Sequence, residues 1–334
     1  MTKFLVVALG LVFSLLVSTA NADTFRWVTY KPQGAGDAQA RSTQWFADEF
    51  AKRTGGKHKI QIFWGGSLVK VREIPDALQS GTGDFGDIVT PYFMDRFPLN
   101  NAVGYFIPQP NGVLKIAELL KSWNEKYPQF SEEMTRNNIK VVSYRPLASY
   151  GLICIKPVKT ISDLKGLRIR SYGAAYPKII EALGATPVSM STSDTYEALG
   201  RKILDCTPIS IDLARGWKYD EVAKYYIDFP FGASFGHQVS MNLKAYNKLD
   251  PATKKVVDDL GNEYTAVFNN MLEADSKKVV EDWKSSGVTM VHMDVGDMKK
   301  IVANPAIQEL RKKWAERAKS LGVDPKPMLD ALQF

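Results

Sequence analysis

Phe25-Arg26-Trp27-Val28-Thr29-Tyr30, rich in aromatic and β-branched residues, reads as a strand. A helix follows, with Asp37 near its cap and Ala40, Phe46, Ala47, Phe50 and Ala51 on its apolar face. Gly55-Gly56 stops that helix. Ile60, Ile62 and Trp64 then alternate as a half-buried strand ahead of Gly65-Gly66. A second helix is expected over residues 70–79, where Pro75 either kinks it or marks its true start. Residues 85–90 read as a further strand. This βαβα rhythm predicts an α/β fold with a mostly parallel sheet covered by helices on both faces.

A second such unit begins near residue 139. Residues 139–144 and 151–155 are strand-like, residues 160–166 form a polar turn, and residues 167–171 return as a strand. A helix over 174–183 stops at Gly184, Val188 lies in a short strand, Ser193 caps a helix over 194–201, and residues 204–207 form another strand. Beyond Asp250-Pro251 comes a helical stretch to about residue 285, long enough to span roughly 50 Å and to bridge two lobes. A last helix covers about 305–321. Two α/β lobes joined by crossing segments leave a cleft between them, the usual place for a small molecule.

The 334 residues, 45% hydrophobic and 24% charged, suit a soluble two-lobed protein. Lys3, the apolar run 4–17 and Ser18-Thr19-Ala20-Asn21-Ala22 read as a secretory signal peptide cleaved after Ala22. The apolar run, about 14 residues, is short for a span of about 20, so no stable membrane anchor is expected. Losing Lys3 lowers the net charge from +7 to +6. The positive charge is dispersed, which argues against nucleic acid and mildly favours anionic ligands. Cys154 and Cys206 lie in apolar, strand-like runs, where we expect buried free thiols, although an oxidising compartment permits a disulfide.

Motifs for catalysis are missing. His58, His237 and His292 form no metal-binding pair, and neither a nucleophile elbow nor a phosphate loop is present, so no metal or cofactor is expected. The glycines at 81, 83 and 86 precede a strand rather than joining strand to helix. Gly34-Ala35-Gly36 could offer backbone N–H groups to an anion at a helix N-terminus. The segment Ser162-Asp163-Leu164-Lys165-Gly166-Leu167-Arg168-Ile169-Arg170-Ser171 stands out. Period two puts Arg168 and Arg170 on one face, with Arg170 at the carboxyl end, where a planar guanidinium can hold a carboxylate by two charge-assisted bonds. A solvated arginine or an inter-lobe ion pair is the competing reading.

Residues 163–170 (DLKGLRIR), 182–188 (ALGATPV) and 195–199 (TYEAL) resemble the central signature of DctP-type solute-binding proteins, which serve tripartite ATP-independent periplasmic (TRAP) transporters. Gly55-Gly56, residues 63–68 (FWGGSL) and residues 77–81 (ALQSG) are similar to that family as well. The resemblance implies a type II-like, two-lobed periplasmic binding protein with a long helix bridging both lobes. It places lobe I at 23–147 plus about 236–272, and lobe II at 148–235 plus about 273–334. It implies that Arg170 binds a ligand carboxylate and that TRAP membrane subunits receive a small organic acid. The chain departs from the family where Ile209 replaces a frequent asparagine, Tyr150 replaces a second arginine found in some members, and Thr192 replaces an aromatic. Those departures point to a monocarboxylate with hydroxyl or aromatic character. Tyr92, Tyr150, Tyr172, Trp217 and Phe235 could line its pocket, and Asp212 could accept from a ligand hydroxyl or cap the next helix. The rival readings are a receptor for an ATP-driven transporter and a periplasmic isomerase or lyase acting on an organic acid.

Overall fold

The computed structural model describes residues 23–333 apart from 35, 230 and 236; the expected signal peptide, with cleavage after Ala22, lies outside the described residues. The strands are β1 (Asp23–Val28), β2 (His58–Phe63), β3 (Phe85–Ile88), β4 (Ile139–Tyr144), β5 (Leu147–Ser149), β6 (Gly151–Cys154), β7 (Arg168–Ser171), β8 (Thr186–Ser189), β9 (Cys206–Ile209), β10 (Tyr225–Asp228), β11 (Ala233–Ser234), β12 (Gln238–Asn242) and β13 (Thr289–His292).

They form two sheets and a ribbon. The first sheet has the order β2-β1-β3-β12-β4, and the second β13-β10-β6-β9-β7-β8. The early βαβα unit is parallel as expected, since β1 pairs in parallel with β2 and β3. Both sheets are nevertheless mixed: β12 runs antiparallel to β3 and β4, and β6 antiparallel to β9 and β10. The antiparallel strands arise where the chain leaves one sheet and later returns. Those two crossings lie side by side as the ribbon β5–β11.

A third crossing is the helix Pro251–Trp283, 33 residues long, with Pro251 in its first turn and the Asp250 side chain accepting from Thr253 N. It packs on the helix Ala38–Arg53 and β4 of the first unit and on the helix Ile211–Gly216 of the second. Trp283, near its end, is fully buried and donates to Asp220 at 2.9 Å. Each unit buries its own core. Trp27, Phe46, Phe85 and Leu260 anchor one, and Ile153, Ile169, Ile179 and Trp283 the other. Trp314, Ala318, Met328 and Leu332, expected in the second lobe, pack instead in the core of the first.

Local expectations mostly hold. Asp37 caps the helix Ala38–Arg53 by accepting from Ala40 N, and Pro75 opens the helix Ile74–Ser80 rather than kinking it. Ser193 does not cap the helix Thr195–Gly200; it lies in a preceding 3-10 turn and its hydroxyl meets that of Ser191. The free-thiol expectation is overturned, because Cys154 and Cys206 form a disulfide. They sit directly opposite each other on antiparallel β6 and β9, with Cα atoms 4.1 Å apart. Burial and pairing are compatible here because both side chains point into one core from adjacent strands.

Candidate functional site

Arg168 and Arg170 share a face of β7 but meet different surroundings. Arg168, at the entry of the strand, is exposed and pairs with Asp205 at 3.1 Å. Arg170, at the carboxyl end, is 1% exposed. Its Nε donates to the Met190 carbonyl (3.1 Å), and its Nη2 donates to the Tyr92 hydroxyl and to Thr192 Oγ1, both at 3.0 Å. The guanidinium lies 4.1 Å over the Tyr172 ring. Tyr92 also accepts from Thr192 N at 3.1 Å, while the Tyr219 hydroxyl donates to the Thr192 carbonyl at 2.7 Å. Tyr92 follows β3 of the first sheet and Arg170 ends β7 of the second, so these bonds tie the two lobes together across the cleft.

An aromatic cluster walls one side. Phe235 packs against Tyr172 at 5.3 Å, Tyr176 at 5.9 Å, Tyr150 at 6.3 Å and His237 at 6.0 Å. Its backbone is left-handed, with φ of 60°, an uncommon state for a bulky residue that the surrounding rings hold in place. Tyr150 and Tyr172 are buried, and burial raises both phenols above their ordinary pKa.

On the opposite side, Trp217 stacks on Tyr30 at 6.3 Å, and the Lys31 ammonium lies 4.6 Å from the Trp217 ring. Lys31 forms a fully buried ion pair with Asp37. Asp37 therefore occupies the helix N-terminus that the Gly34–Gly36 turn was expected to open to an anion. Gly216 approaches so closely that a Cβ there would meet Asp37 Oδ2 at 2.6 Å. Asp212 sits within the first turn of the helix Ile211–Gly216 and is not its cap. It is buried, and its Oδ1 has no hydrogen-bond partner. Burial raises its pKa to about 7, against the lowering effect of Ser210.

A third charged group lies where β4 ends. Arg145 is fully buried, 3.6 Å from Asp87 and 5.8 Å from the Phe268 ring, and its backbone N donates to the His237 carbonyl at 2.6 Å. Burial holds the Tyr30 phenol well above its ordinary pKa, with Arg145 acting to lower it and Asp87 to raise it. Two cavities flank the closed contact. One, of about 560 Å³, touches Tyr30, Arg72 and Met190; the other, of about 440 Å³, touches Asp37, Asp212 and Gly216. A larger cavity of about 830 Å³ lies away from these groups, beside the long helix and the β5–β11 ribbon. Among the described residues, no cluster of His, Cys, Asp and Glu could hold a metal ion, and no helix is long and apolar enough to cross a membrane.

The model of a bacterial extracellular solute-binding protein, family 7 (DctP), matches residues 32–328. The chain belongs to this family. The 2,3-diketo-L-gulonate-binding periplasmic protein YiaO of Escherichia coli is 23% identical over 260 residues, covering 76% of this chain and 77% of the relative. The C4-dicarboxylate-binding protein DctB of Bacillus subtilis is 25% identical over 258 residues, covering 74% and 70%. The crystal structure of a TRAP periplasmic solute binding protein from Desulfovibrio salexigens is 26% identical, covers 92% of this chain and 94% of that chain, and superposes with a TM-score of 0.77. As a family 7 member the chain is a solute-binding receptor of the TRAP type, with the two-lobed α/β fold.

The structure brings Arg170, Tyr92, Tyr172 and Thr192 into direct contact, with Tyr150 and Phe235 packed around them. Trp217 and Asp212 lie on the Lys31 side of the space instead. Ile209 is fully buried in the core, offering only its carbonyl, which accepts from the Tyr226 hydroxyl at 3.3 Å. Sequence reasoning missed Lys31, Asp37 as an ion-pair partner, Asp87, Arg145 and His237. Arg145 carried a usable signal, because it follows a strand at its carboxyl end as Arg170 does.

Proposed function

We propose that this family 7 protein captures a small organic monocarboxylate in the cleft, through an Arg170–carboxylate pair, and hands it to the membrane subunits of a TRAP transporter. The observation that carries this reading is the charge inventory of the cleft. Lys31 faces Asp37 and Arg145 faces Asp87, whereas among the described residues no carboxylate pairs with Arg170. A buried guanidinium with only neutral partners is costly, and one carboxylate supplies the missing charge. The relatives bind both one- and two-carboxylate acids by name, so ligand charge has to be read from this chain. Among these buried cations, the one without a countercharge favours one carboxylate.

In this reading the open cleft exposes Arg170 to water, the carboxylate docks on it, and Tyr92 arrives from the other lobe as the cleft closes. Closure excludes water and strengthens the ion pair, so the ligand favours the closed state. The division we propose assigns 23–147 and about 236–272 to lobe I, and 148–235 with about 273–307 to lobe II, where Val279, Met298, Ile301 and Ile307 pack; the end of the chain, with Trp314, Ala318, Met328 and Leu332, goes with lobe I. The mature protein would begin at Asp23 in the periplasm.

A thermal-shift screen of mono- and dicarboxylic acids tests the reading. At a hundred times the dissociation constant, a true ligand should stabilise the protein by about 2.7 kcal/mol. The shift should vanish in Arg170→Gln; a full shift in that variant, or stabilisation by dicarboxylates alone, sinks the proposal.

A further inference from the structure

Arg145 and Arg170 are both buried guanidiniums, but their surroundings differ. Arg170 has three hydrogen bonds and no countercharge. Arg145 has a countercharge, Asp87, and the Tyr264 hydroxyl nearby, yet none of its three side-chain nitrogens makes a well-formed hydrogen bond. The 3.6 Å gap to Asp87 neutralises charge without satisfying donors. Asp87 is itself tied on its other oxygen, which accepts from the Trp27 indole at 3.3 Å. Beside Arg145 lies His237, 3% exposed, with neither ring nitrogen partnered. Burial, helped by Arg145, pushes His237 well below its ordinary pKa, so the ring is neutral, with one donor and one acceptor. Phe235 stands between the two arginine sites, with His237 against its ring at 6.0 Å and Tyr172, beneath Arg170, at 5.3 Å. Buried donors without partners cost free energy that an incoming acceptor recovers.

We propose that Arg145 and His237 form a second recognition subsite for a neutral oxygen-bearing group, a ketone, amide carbonyl or hydroxyl, on the ligand whose carboxylate meets Arg170. This rests on the monocarboxylate reading above and deepens it. A second carboxylate is disfavoured here because Asp87 already balances Arg145, and an added anion would face Asp87 at close range. A carbonyl or hydroxyl oxygen takes the guanidinium's donors without adding charge, and a hydroxyl can also use the neutral imidazole. The ligand class is thus an oxo- or hydroxy-monocarboxylate whose far oxygen is separated from the carboxyl by a segment lying along Phe235.

Titration calorimetry with matched pairs tests it: 4-oxopentanoate against 4-methylpentanoate, 3-hydroxyphenylacetate against phenylacetate, and pyroglutamate against cyclopentanecarboxylate, with glutarate as the dicarboxylate. The wild-type protein should bind an oxygenated member about tenfold or more tighter than its partner, the worth of one charge-assisted bond. Arg145→Met alone strands Asp87 in the core, so the variant to use is Arg145→Met with Asp87→Asn, accompanied by His237→Phe, which keeps the ring stack. Both should erase most of the preference while keeping the affinity for the oxygen-free partner. A preference that survives in both variants, no preference in any pair, or tighter binding of glutarate overturns the subsite. Failure of the underlying reading looks different: Arg170→Gln would then leave the affinity for both members of a pair unchanged.

Discussion

Arg170 exchanges water for the hydroxyls of Tyr92 and Thr192 and the carbonyl of Met190, none of which carries charge. Replacing it with glutamine should cost about 100-fold or more in affinity for a monocarboxylate, as expected for truncating one side of a buried charge pair, and calorimetry reads this directly. Asp212 illustrates the converse, a carboxyl that burial pushes towards its neutral form with a pKa of about 7. Because that value lies above the unfolded one, the folded state holds the proton more tightly. Stability is therefore full below about pH 4 as far as this group is concerned, and it is lost as the pH rises through 7. Asp212→Asn should be more stable than the wild type at pH 8, by on the order of 2–4 kcal/mol, and nearly equal to it at pH 4. Urea melts at the two pH values check this, and a gap that does not widen with pH contradicts it. Arg170 was legible because it closes a recognisable strand motif, and Tyr92 and Thr192 were named although their bonds to it were not. Lys31, Asp87 and His237 were not legible, since an isolated polar residue in a sequence shows nothing of its burial or of a partner far along the chain.

At the scale of elements, the strands of the parallel βαβα unit and the long helix could be read from periodicity and caps. The antiparallel partners β10 and β12, and the late strand β13, could not, because their pairing depends on where the chain re-enters each sheet. The same blindness hid the disulfide: two apolar runs looked like ordinary buried cysteine sites until β6 and β9 were set side by side. The bridge closes a loop with a sequence separation of 52, worth about 4 kcal/mol on the chain-entropy account and less if the unfolded chain retains structure. Cys154→Ser with Cys206→Ser should lower unfolding free energy by about 2–4 kcal/mol. Thiol titration of the unfolded, unreduced protein should find no free thiol, whereas two thiols would contradict the pairing. In the long helix, a Cβ at Gly261 would run into the Val142 carbonyl oxygen. Gly261→Ala should therefore destabilise, although alanine ordinarily gains up to about 1 kcal/mol over glycine inside a helix. A raised melting temperature would contradict that close packing against β4.

For the whole molecule, the β5–β11 ribbon and the long helix connect the two sheets, and the closed cleft is held by Tyr92, Arg170 and Thr192 on one side and Tyr30, Lys31 and Trp217 on the other. The two-lobed architecture was readable from the repeated α/β units and the family signature. The return of the chain's end, from Trp314 onward, to the first core was not, since amphipathic helices do not announce which core they cover. The proposed function rests on Arg170, the buried cleft cation that has no countercharge among the described residues. The most direct measurement is mass spectrometry of small molecules released by denaturing the purified protein and its Arg170→Gln variant. The wild type is expected to release a monocarboxylic acid bearing a ketone, amide or hydroxyl oxygen, and the variant none. Release of the same compound from the variant, or of a compound with no carboxyl group from the wild type, would contradict the proposed function.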